Sequence, residues 1–398
     1  MSDSFDVVVV GGAVMGSSVA CHLLSAAAFA GRVAVIEKDP TYRRSASALS
    51  AASIRQQFST VVNVRISLHG IRFLRDVGAL LAVDGERPDV SLKEGGYLYL
   101  ATAAGASRLA DNHALQTREG ADILLMDQAD LKSRFPWLNV KDLAAAAWGR
   151  SGEGWFDGWA LLQAFRKKAR ALGATYVAGE VVAIERAGGR ITAVRLRDGR
   201  RIGCGTLVNC AGAGGRALAA LAGIDIPVHA RRRDVFTFTC PERIDHCPLL
   251  IDPSGVYVRP EGEGFICGAS PRPDEHDPDW RDDDPATQET DWTIFESRVW
   301  PALAERVPAF ETIRPGRAWS GPYDLNCFDQ NVILGGAGAI DNFYLCNGFS
   351  GHGLQQAPAV GRGLAELILH GRYVTLDLSD LASGRIAADR PLRERNVI

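Results

Sequence analysis

The hydrophobic run Val7–Val10 breaks into Gly11-Gly12-Ala13-Val14-Met15-Gly16, and the next hydrophobic run, Arg32–Ile36, ends in the acidic Glu37. Four valines without polar alternation read as a strand buried on both faces of a parallel sheet. Glycines directly after it permit a turn tight enough for the backbone to approach a pyrophosphate. A helix opening there, over roughly Met15–Leu24, points its N–H groups and positive dipole end at the phosphates. Arg32–Ile36 is then the second strand, and Glu37 stands where a carboxylate accepts the hydrogen bonds of a ribose hydroxyl. Strand, turn, helix, strand and terminal acid in one short unit predict a Rossmann-type dinucleotide site.

One position departs from the G-x-G-x-x-G pattern, whose middle glycine is here Ala13. One extra methyl still lets the backbone come close if φ is negative there. A carboxylate at Glu37 repels a 2′-phosphate, so NADP is disfavoured, while FAD and NAD both remain. An empty scaffold of the same fold is the alternative, because folds persist without their ligands.

Val7–Gly31 contains no Lys, Arg, Asp or Glu and superficially resembles a membrane span. Met1–Asp6, however, carries two aspartates and no basic residue, so the charged leader of a secretory signal is missing. The glycines, serines and alanines of this stretch suit a close-packed helix better than lipid. The expectation is a soluble, cytoplasmic protein, peripheral to a membrane at most and not spanning it. With 398 residues, two domains are expected. A net charge of −3 argues against a nucleic-acid binder relying on a basic surface. The eight cysteines form no C-x-x-C pair and read as buried, reduced thiols, and no zinc spacing appears among them and the histidines.

Further along, Ala160–Leu172 has helical periodicity, Thr175–Ala178 reads as a strand, and Glu180–Glu185 with Ile191–Leu196 form a hairpin around Gly188-Gly189. Arg201–Cys204 and the buried strand Thr206–Cys210 lead into Ala211-Gly212-Ala213-Gly214-Gly215 and a helix over Arg216–Ala222. That second strand-to-glycine turn fits a ligand spanning both. Beyond Pro227 the pattern is mainly β, with strands at Asp234–Thr239 and Gly255–Arg259. Pro271–Pro285 is acidic and proline-rich, a solvated loop or lid by default, with metal binding as the alternative. Arg231–Arg233 either steers an anionic substrate or is a surface run, since strand neighbours alternate faces.

A third strand–turn–helix follows Phe343–Cys346: Gly348-Phe349-Ser350-Gly351-His352-Gly353-Leu354-Gln355-Gln356-Ala357-Pro358, with a helix over roughly Val360–Leu369. This block resembles the flavin turn of the FAD-dependent amine oxidoreductases, the D-amino-acid, glycine and sarcosine oxidase superfamily. Tyr323–Asn331 and Ser50–Ser59 further resemble the branch that includes a mitochondrial FAD-dependent oxidoreductase linked to assembly of respiratory complex I. The resemblance covers nearly the whole chain. It implies FAD, and an α/β plus β architecture: a discontinuous Rossmann-type FAD-binding domain (1–82, 143–217 and 325–398) with a β-sheet substrate domain (83–142 and 218–324).

The cofactor-binding residues it implies are Gly11, Gly12, Ala13, Val14, Met15, Gly16, Glu37, Lys38, Ser50, Ala52, Ser53, Val181, Val182, Ala211 and Gly212. In the flavin turn they are Gly348, Phe349, Ser350, Gly351, His352, Gly353 and Leu354. The reaction it implies is oxidation of the C–N bond of an amino acid or N-substituted amine by hydride transfer to flavin N5, giving an imine that hydrolyses. A D-amino-acid dehydrogenase and a flavin-bearing assembly protein of the respiratory chain are the alternatives. Such chemistry asks little of side chains beyond binding and orientation. A cation or apolar surroundings keep the substrate amine neutral by lowering its pKa.

Arg55 falls beside the flavin ring by resemblance, where it would stabilise negative charge, or else forms a structural ion pair. Tyr257 and Arg259 share one strand face; Tyr257 matches an active-site tyrosine, and Arg259 is either a carboxylate fork or a surface pair. His352 is a hydrogen-bonding group at the ring or a turn residue. The carboxylate-clamping lysine of monomeric sarcosine oxidases is here Gln355, and their second clamp arginine is Phe58. Their oxygen-activating lysine is Ile266, which points to a dehydrogenase passing electrons to a quinone or a partner flavoprotein. Their flavin-linking cysteine falls near Gly321 or Pro322, with Cys327 displaced, which predicts non-covalent FAD.

Overall fold

The computed structural model describes residues 4–272 and 274–396; Pro273, within the acidic segment, and Met1–Asp3 of the leader argument lie outside the described residues. The first sheet runs in the order Ile333–Gly336, Phe343–Asn347, Arg201–Asn209, Ser4–Val10, Val33–Glu37, Thr175–Ala178. Ser4–Val10 lies parallel to both Val33–Glu37 and Arg201–Asn209, with Val10 opposite Ile36 and Asn209. Asn209 in turn faces Leu345 on the parallel strand Phe343–Asn347. Three strands therefore end side by side, and each of the three glycine-rich turns leaves the same edge of the sheet. Ligands of open parallel sheets bind at that carboxyl edge.

The valine run is buried on both faces, as its lack of alternation requires. Val7 and Val9 pack with the helices Val14–Ser25, Val61–Arg75, Gly158–Ala171 and Gly353–His370, while Val8 and Val10 pack with Ile191, Val194, Leu207 and Leu218. Arg190–Leu196 and Val181–Ala187 form the expected hairpin, antiparallel to Arg201–Asn209. The stretches Arg201–Cys204 and Thr206–Cys210 join into one strand, Arg201–Asn209. The last long helix begins at Gly353 rather than near Val360, and contains Pro358. Its positive end therefore abuts the glycine turn directly.

The second sheet runs Arg314–Asn326, Val228–Thr239, Gly264–Ala269, Val256–Glu261, Leu249–Ile251, Tyr97–Thr102, Leu143–Gly149, Ile123–Met126. Phe236, Phe238, Phe265 and Phe310 fill one face beneath the helical segment around Phe295–Arg306. Leu143–Gly149 pairs with both Tyr97–Thr102 and Ile123–Met126. Those residues thus sit in the second sheet, where the sequence division at 143 would put them with the first. Their alanine-rich pattern carries no signal of which sheet they join.

Among the described residues no helix is long and apolar enough to cross a membrane, and no group of His, Cys, Asp and Glu is placed to hold a metal ion. All eight cysteines are free thiols.

Candidate active site

A cleft of about 310 Å³ runs from the edge of the first sheet to the face of the second. At its nucleotide end the chain itself makes the surface. Gly11 has φ +97°, and a Cβ there would collide with the Cys210 carbonyl; a Cβ on Gly16 would collide with the Gly11 carbonyl. Ala13 has φ −68°, which admits its methyl and answers the missing middle glycine. Gly11, Ala13, Val14 and Met15 line the cleft, with Gly12 and Gly16 packed behind them. Glu37 Oε2 accepts from Gly12 N–H at 2.8 Å and Oε1 from Asp39 N–H at 2.9 Å, tying the turn to the second strand. Burial raises the Glu37 pKa despite these donors. The carboxylate retains lone pairs for hydroxyl donors in the cleft.

Ala211 and Gly212 of the second turn also line the cleft. Val181 packs against the core of the first sheet and Val182 is exposed, and neither is among the residues lining this cleft. Lys38 lines the entrance and pairs with Asp282.

Ser45–Ser53 forms one wall, and it is pinned from outside. Trp319 Nε1–H donates to Leu49 O at 2.8 Å, and Arg259 donates to Ala51 O through Nε at 3.1 Å and Nη2 at 2.6 Å. Ser50, Ala52 and Ser53 face the cleft. Arg259, read from sequence as either a carboxylate fork or a surface pair, is 4 % exposed, outside the cleft lining, and bonded to Ala51 and Glu261, where it braces the wall.

The flavin-type turn is braced from the adjoining strand. Gly348 (φ +78°), Ser350 (φ +50°) and Gly351 (φ +85°) take left-handed backbone conformations. Asp324 Oδ2 accepts from Gly348 N–H at 3.0 Å and Phe349 N–H at 3.1 Å, and burial pushes its carboxyl up to about 6. Tyr323 Oη–H donates to Ser350 O at 2.5 Å, and Ser350 Oγ accepts from Asn326 N–H at 3.1 Å. Phe349, Gly351, Gly353 and Leu354 line the cleft, while Gly348 and Ser350 lie behind it. Asp324 was missed as a site residue although it stands in the Tyr323–Asn331 block that carries the resemblance.

At the substrate end, Arg55 is 1 % exposed, and among the described residues no carboxylate pairs with its guanidinium. Nη1 donates to Gln57 O at 2.6 Å; Nη2 donates to Asn396 O and lies 3.0 Å from His352 Nε2. Because a guanidinium only donates, His352 Nε2 must accept, which places the ring proton on Nδ1. Among the described residues Nδ1 has no hydrogen-bond partner. Burial, then the Arg55 charge, hold the His352 pKa well below its ordinary value, so the ring stays neutral. Phe58 lies 4.1 Å beneath the Arg55 guanidinium and edge-on to His352 at 5.0 Å.

Gln355 Oε1 accepts from Arg55 N–H at 3.0 Å and Ser67 Oγ–H at 3.2 Å. Tyr257 lines the cleft opposite Gly268, which leaves room for its ring. Tyr97 lines it too, and neither Tyr97 nor Asn396 was legible as a site residue in the sequence.

The acidic segment is a mostly exposed loop, as expected, but it is anchored to the strand beside it. Asp277 pairs with Arg233 at 2.6 Å, Asp279 with Arg231, and Trp280 is buried. Arg231–Arg233 therefore meets internal carboxylates, and the segment runs along that strand until Asp282 reaches Lys38 and Arg44.

These residues fit a flavin dinucleotide: cradles that a single Cβ would fill, an acid at the second strand end, a helix N-terminus at each of two turns, and a buried cation with an unpartnered imidazole donor. Residues 6–367 match the family model described as FAD dependent oxidoreductase. The chain is 40% identical to FAD-dependent oxidoreductase domain-containing protein 1 of Xenopus laevis, over 99% of this chain and 85% of that protein. It is 26% identical to the mitochondrial sarcosine dehydrogenase of Homo sapiens over 64% of this chain and 28% of that one. Its structure resembles L-proline dehydrogenase from P. horikoshii with a TM-score of 0.85 and 25% identity, covering 98% of this chain and 100% of that one.

Proposed function

The chain belongs to the family of FAD-dependent oxidoreductases, and from that premise we propose that it oxidises the C–N bond of an amino acid or N-substituted amine, as a dehydrogenase. The observation that carries this reading is the buried pair Arg55–His352 at the flavin-type turn, facing Tyr257 across the cleft. The names of relatives that act on sarcosine and L-proline agree with it.

FAD, when bound, supplies the acceptor for the hydride leaving the carbon next to nitrogen. Gly11–Gly16 and the first turn of Val14–Ser25 would hold its pyrophosphate, Glu37 its ribose hydroxyls, and the Gly351–Leu354 turn its ring system. Arg55, fixed by Gln57, Asn396 and the Phe58 ring, would keep positive charge beside the flavin ring, with no carboxylate of the described residues in direct contact with its guanidinium. The same charge disfavours a protonated substrate amine, so the reactive neutral form is enriched in the cleft. While Arg55 holds its Nε2, His352 keeps a buried Nδ1–H that has no hydrogen-bond partner among the described residues and would donate to an acceptor on the bound cofactor. The imine product leaves for hydrolysis in water.

The only lysine lining the cleft among the described residues is Lys38, at the nucleotide end and paired with Asp282. Ile266 is buried outside the cleft, so no lysine ammonium stands near the substrate end to favour oxygen reduction. Gly321 and Pro322 line the cleft at the position where a thioether would form and offer no thiol, which supports non-covalent FAD. A quinone or flavoprotein acceptor is the corresponding partner.

The test is anaerobic mixing of the FAD-loaded protein with a panel of amino acids, their N-alkyl derivatives and plain amines, following flavin bleaching. Bleaching by one class, with slow reoxidation by oxygen and fast reoxidation by a quinone, is expected. Absence of bleaching across the panel would leave FAD as a structural element of an assembly protein.

A further inference from the structure

If the substrate is an amino acid, its carboxylate needs a cation, and both clamp positions of the sarcosine oxidases are filled otherwise. Phe58 is a platform under Arg55, and Gln355 holds the Arg55 backbone. The cations lining the cleft are Lys38, Arg44, Arg55 and Arg233. Lys38 and Arg44 stand at the nucleotide end with Asp282 between them. The guanidinium of Arg55 is occupied by two carbonyls and His352.

Arg233 differs from the other three. Its guanidinium lies 4.5 Å from the centre of the Tyr323 ring. Tyr323 in turn touches the flavin-type turn, with its Oη on Ser350 O and its ring edge 2.6 Å from where a Cβ of Gly351 would stand. One aromatic ring therefore separates Arg233 from the reacting end of the cleft. Besides the Arg232 carbonyl, to which Nη1 donates at 2.8 Å, the partner of Arg233 is itself a carboxylate: Nη1 donates to Asp277 Oδ1 at 2.6 Å and Nη2 to Oδ2 at 3.3 Å. That two-pronged geometry is the one a substrate carboxylate would adopt. Asp277 belongs to the acidic segment, not to either sheet, and Arg231 also faces it at 3.6 Å, so it keeps a second cation if Arg233 lets go.

We infer that Arg233 is the receptor for the substrate's carboxylate and that Asp277 is a built-in stand-in holding the fork in place until substrate arrives. This rests on the amino-acid reading above and narrows it to substrates bearing an acid group. Substrate entry exchanges one carboxylate for another on the same fork, with no charge left unpaired.

The experiment titrates the FAD-loaded protein with acetate and benzoate, and with acetamide and benzamide as neutral controls, reading the change in flavin absorbance. Arg233→Gln is expected to weaken binding of both acids by about tenfold or more, and Arg233→Lys by less, because an ammonium lacks the fork. Asp277→Asn removes the competitor and is expected to tighten acid binding about threefold or more. The amides should not respond to any of these changes. FAD content and thermal unfolding report whether each variant folds, and Arg233→Lys keeps the test alive if Arg233→Gln does not. The inference is overturned if acids bind the folded Arg233 variants within about twofold of the unaltered protein. It is equally overturned if Asp277→Asn weakens acid binding, or if the unaltered protein shows no response to acids. These readings involve no turnover, so failure of all amines to bleach the flavin would strike the proposed activity separately.

Discussion

The two ends of the cleft are made of different material. The nucleotide end is backbone: Gly11, Gly16 and the first turn of Val14–Ser25 present main-chain groups, and Glu37 is the one side chain with a specific task. The substrate end is side chains drawn from distant segments: Arg55, Tyr97, Tyr257 and His352 line the cleft, with Arg233 one ring away across Tyr323. Backbone surfaces tolerate almost no added atom but are indifferent to neighbouring side chains. Side-chain surfaces behave the other way round.

The largest effect should follow from adding one methyl to the backbone end. In Gly16→Ala the new Cβ has nowhere to go but into the Gly11 carbonyl, which is main chain and cannot rotate aside. Retention of FAD is expected to fall by at least about tenfold, equivalent to about 1.4 kcal/mol, with parallel loss of thermal stability. The ratio of flavin to protein absorbance after purification measures it. Full flavin occupancy in that variant would show that the backbone end can yield, and the contrast between the ends would fail.

Second in size is Arg55→Met, which should leave FAD bound but slow flavin reduction by substrate. A loss of about a hundredfold is in the range seen when one preorganised charge is removed. Stopped-flow reduction of the loaded variant separates this from loss of cofactor. If FAD itself is lost, Arg55 is a strut for the turn and not part of the chemistry.

That division also explains what the sequence disclosed. A backbone-made site leaves its imprint as glycine spacing: Gly11–Gly16, Gly212–Gly215 and Gly348–Gly353 could each be placed on a strand–turn–helix from the chain alone, and all three leave one sheet edge. A side-chain site depends on which residues long-range pairing brings together. Arg259 had the right strand face by alternation, yet its guanidinium turns to the Ala51 carbonyl, a contact across 208 positions. Asn396 reaches Arg55 from near the other end of the chain with no pattern to announce it. The alanines of Leu143–Gly149 gave no hint of sheet membership, because small apolar residues suit either sheet.

Asp324 lies between the two categories, a side chain whose task is to hold backbone. Burial raises its carboxyl from 3.8 to about 6, against the lowering effect of the Gly348 and Phe349 N–H groups. Between those values the folded protein keeps a proton that the unfolded chain has released, so this contribution to stability is lost as pH rises through about 6. Two units amount to about 3 kcal/mol at most. Asp324→Asn retains an oxygen for both N–H groups but does not titrate. Its unfolding free energy from urea titration is expected to exceed that of the unaltered protein at pH 8 by about 1–3 kcal/mol, and to vary less between pH 4 and 6. Equal pH slopes for the two proteins would show that Asp324 is not the group responsible.

The smallest effect should come from side chains at the backbone end. Lys38 and Asp282 form an ion pair across the entrance with side chains 50% and 45% exposed. Pairs so well hydrated contribute roughly 0–1 kcal/mol and are screened by salt. Lys38→Met is therefore expected to change the rate of FAD release by less than about threefold in dilute buffer, with the difference gone at about 0.5 M salt, where the screening length is only a few ångströms. Flavin fluorescence, which rises as FAD leaves the protein, follows that rate directly. A large, salt-independent acceleration would mean that Lys38 touches the cofactor itself, and the nucleotide end would then owe to a side chain what is here ascribed to Gly11, Gly16 and the helix they precede.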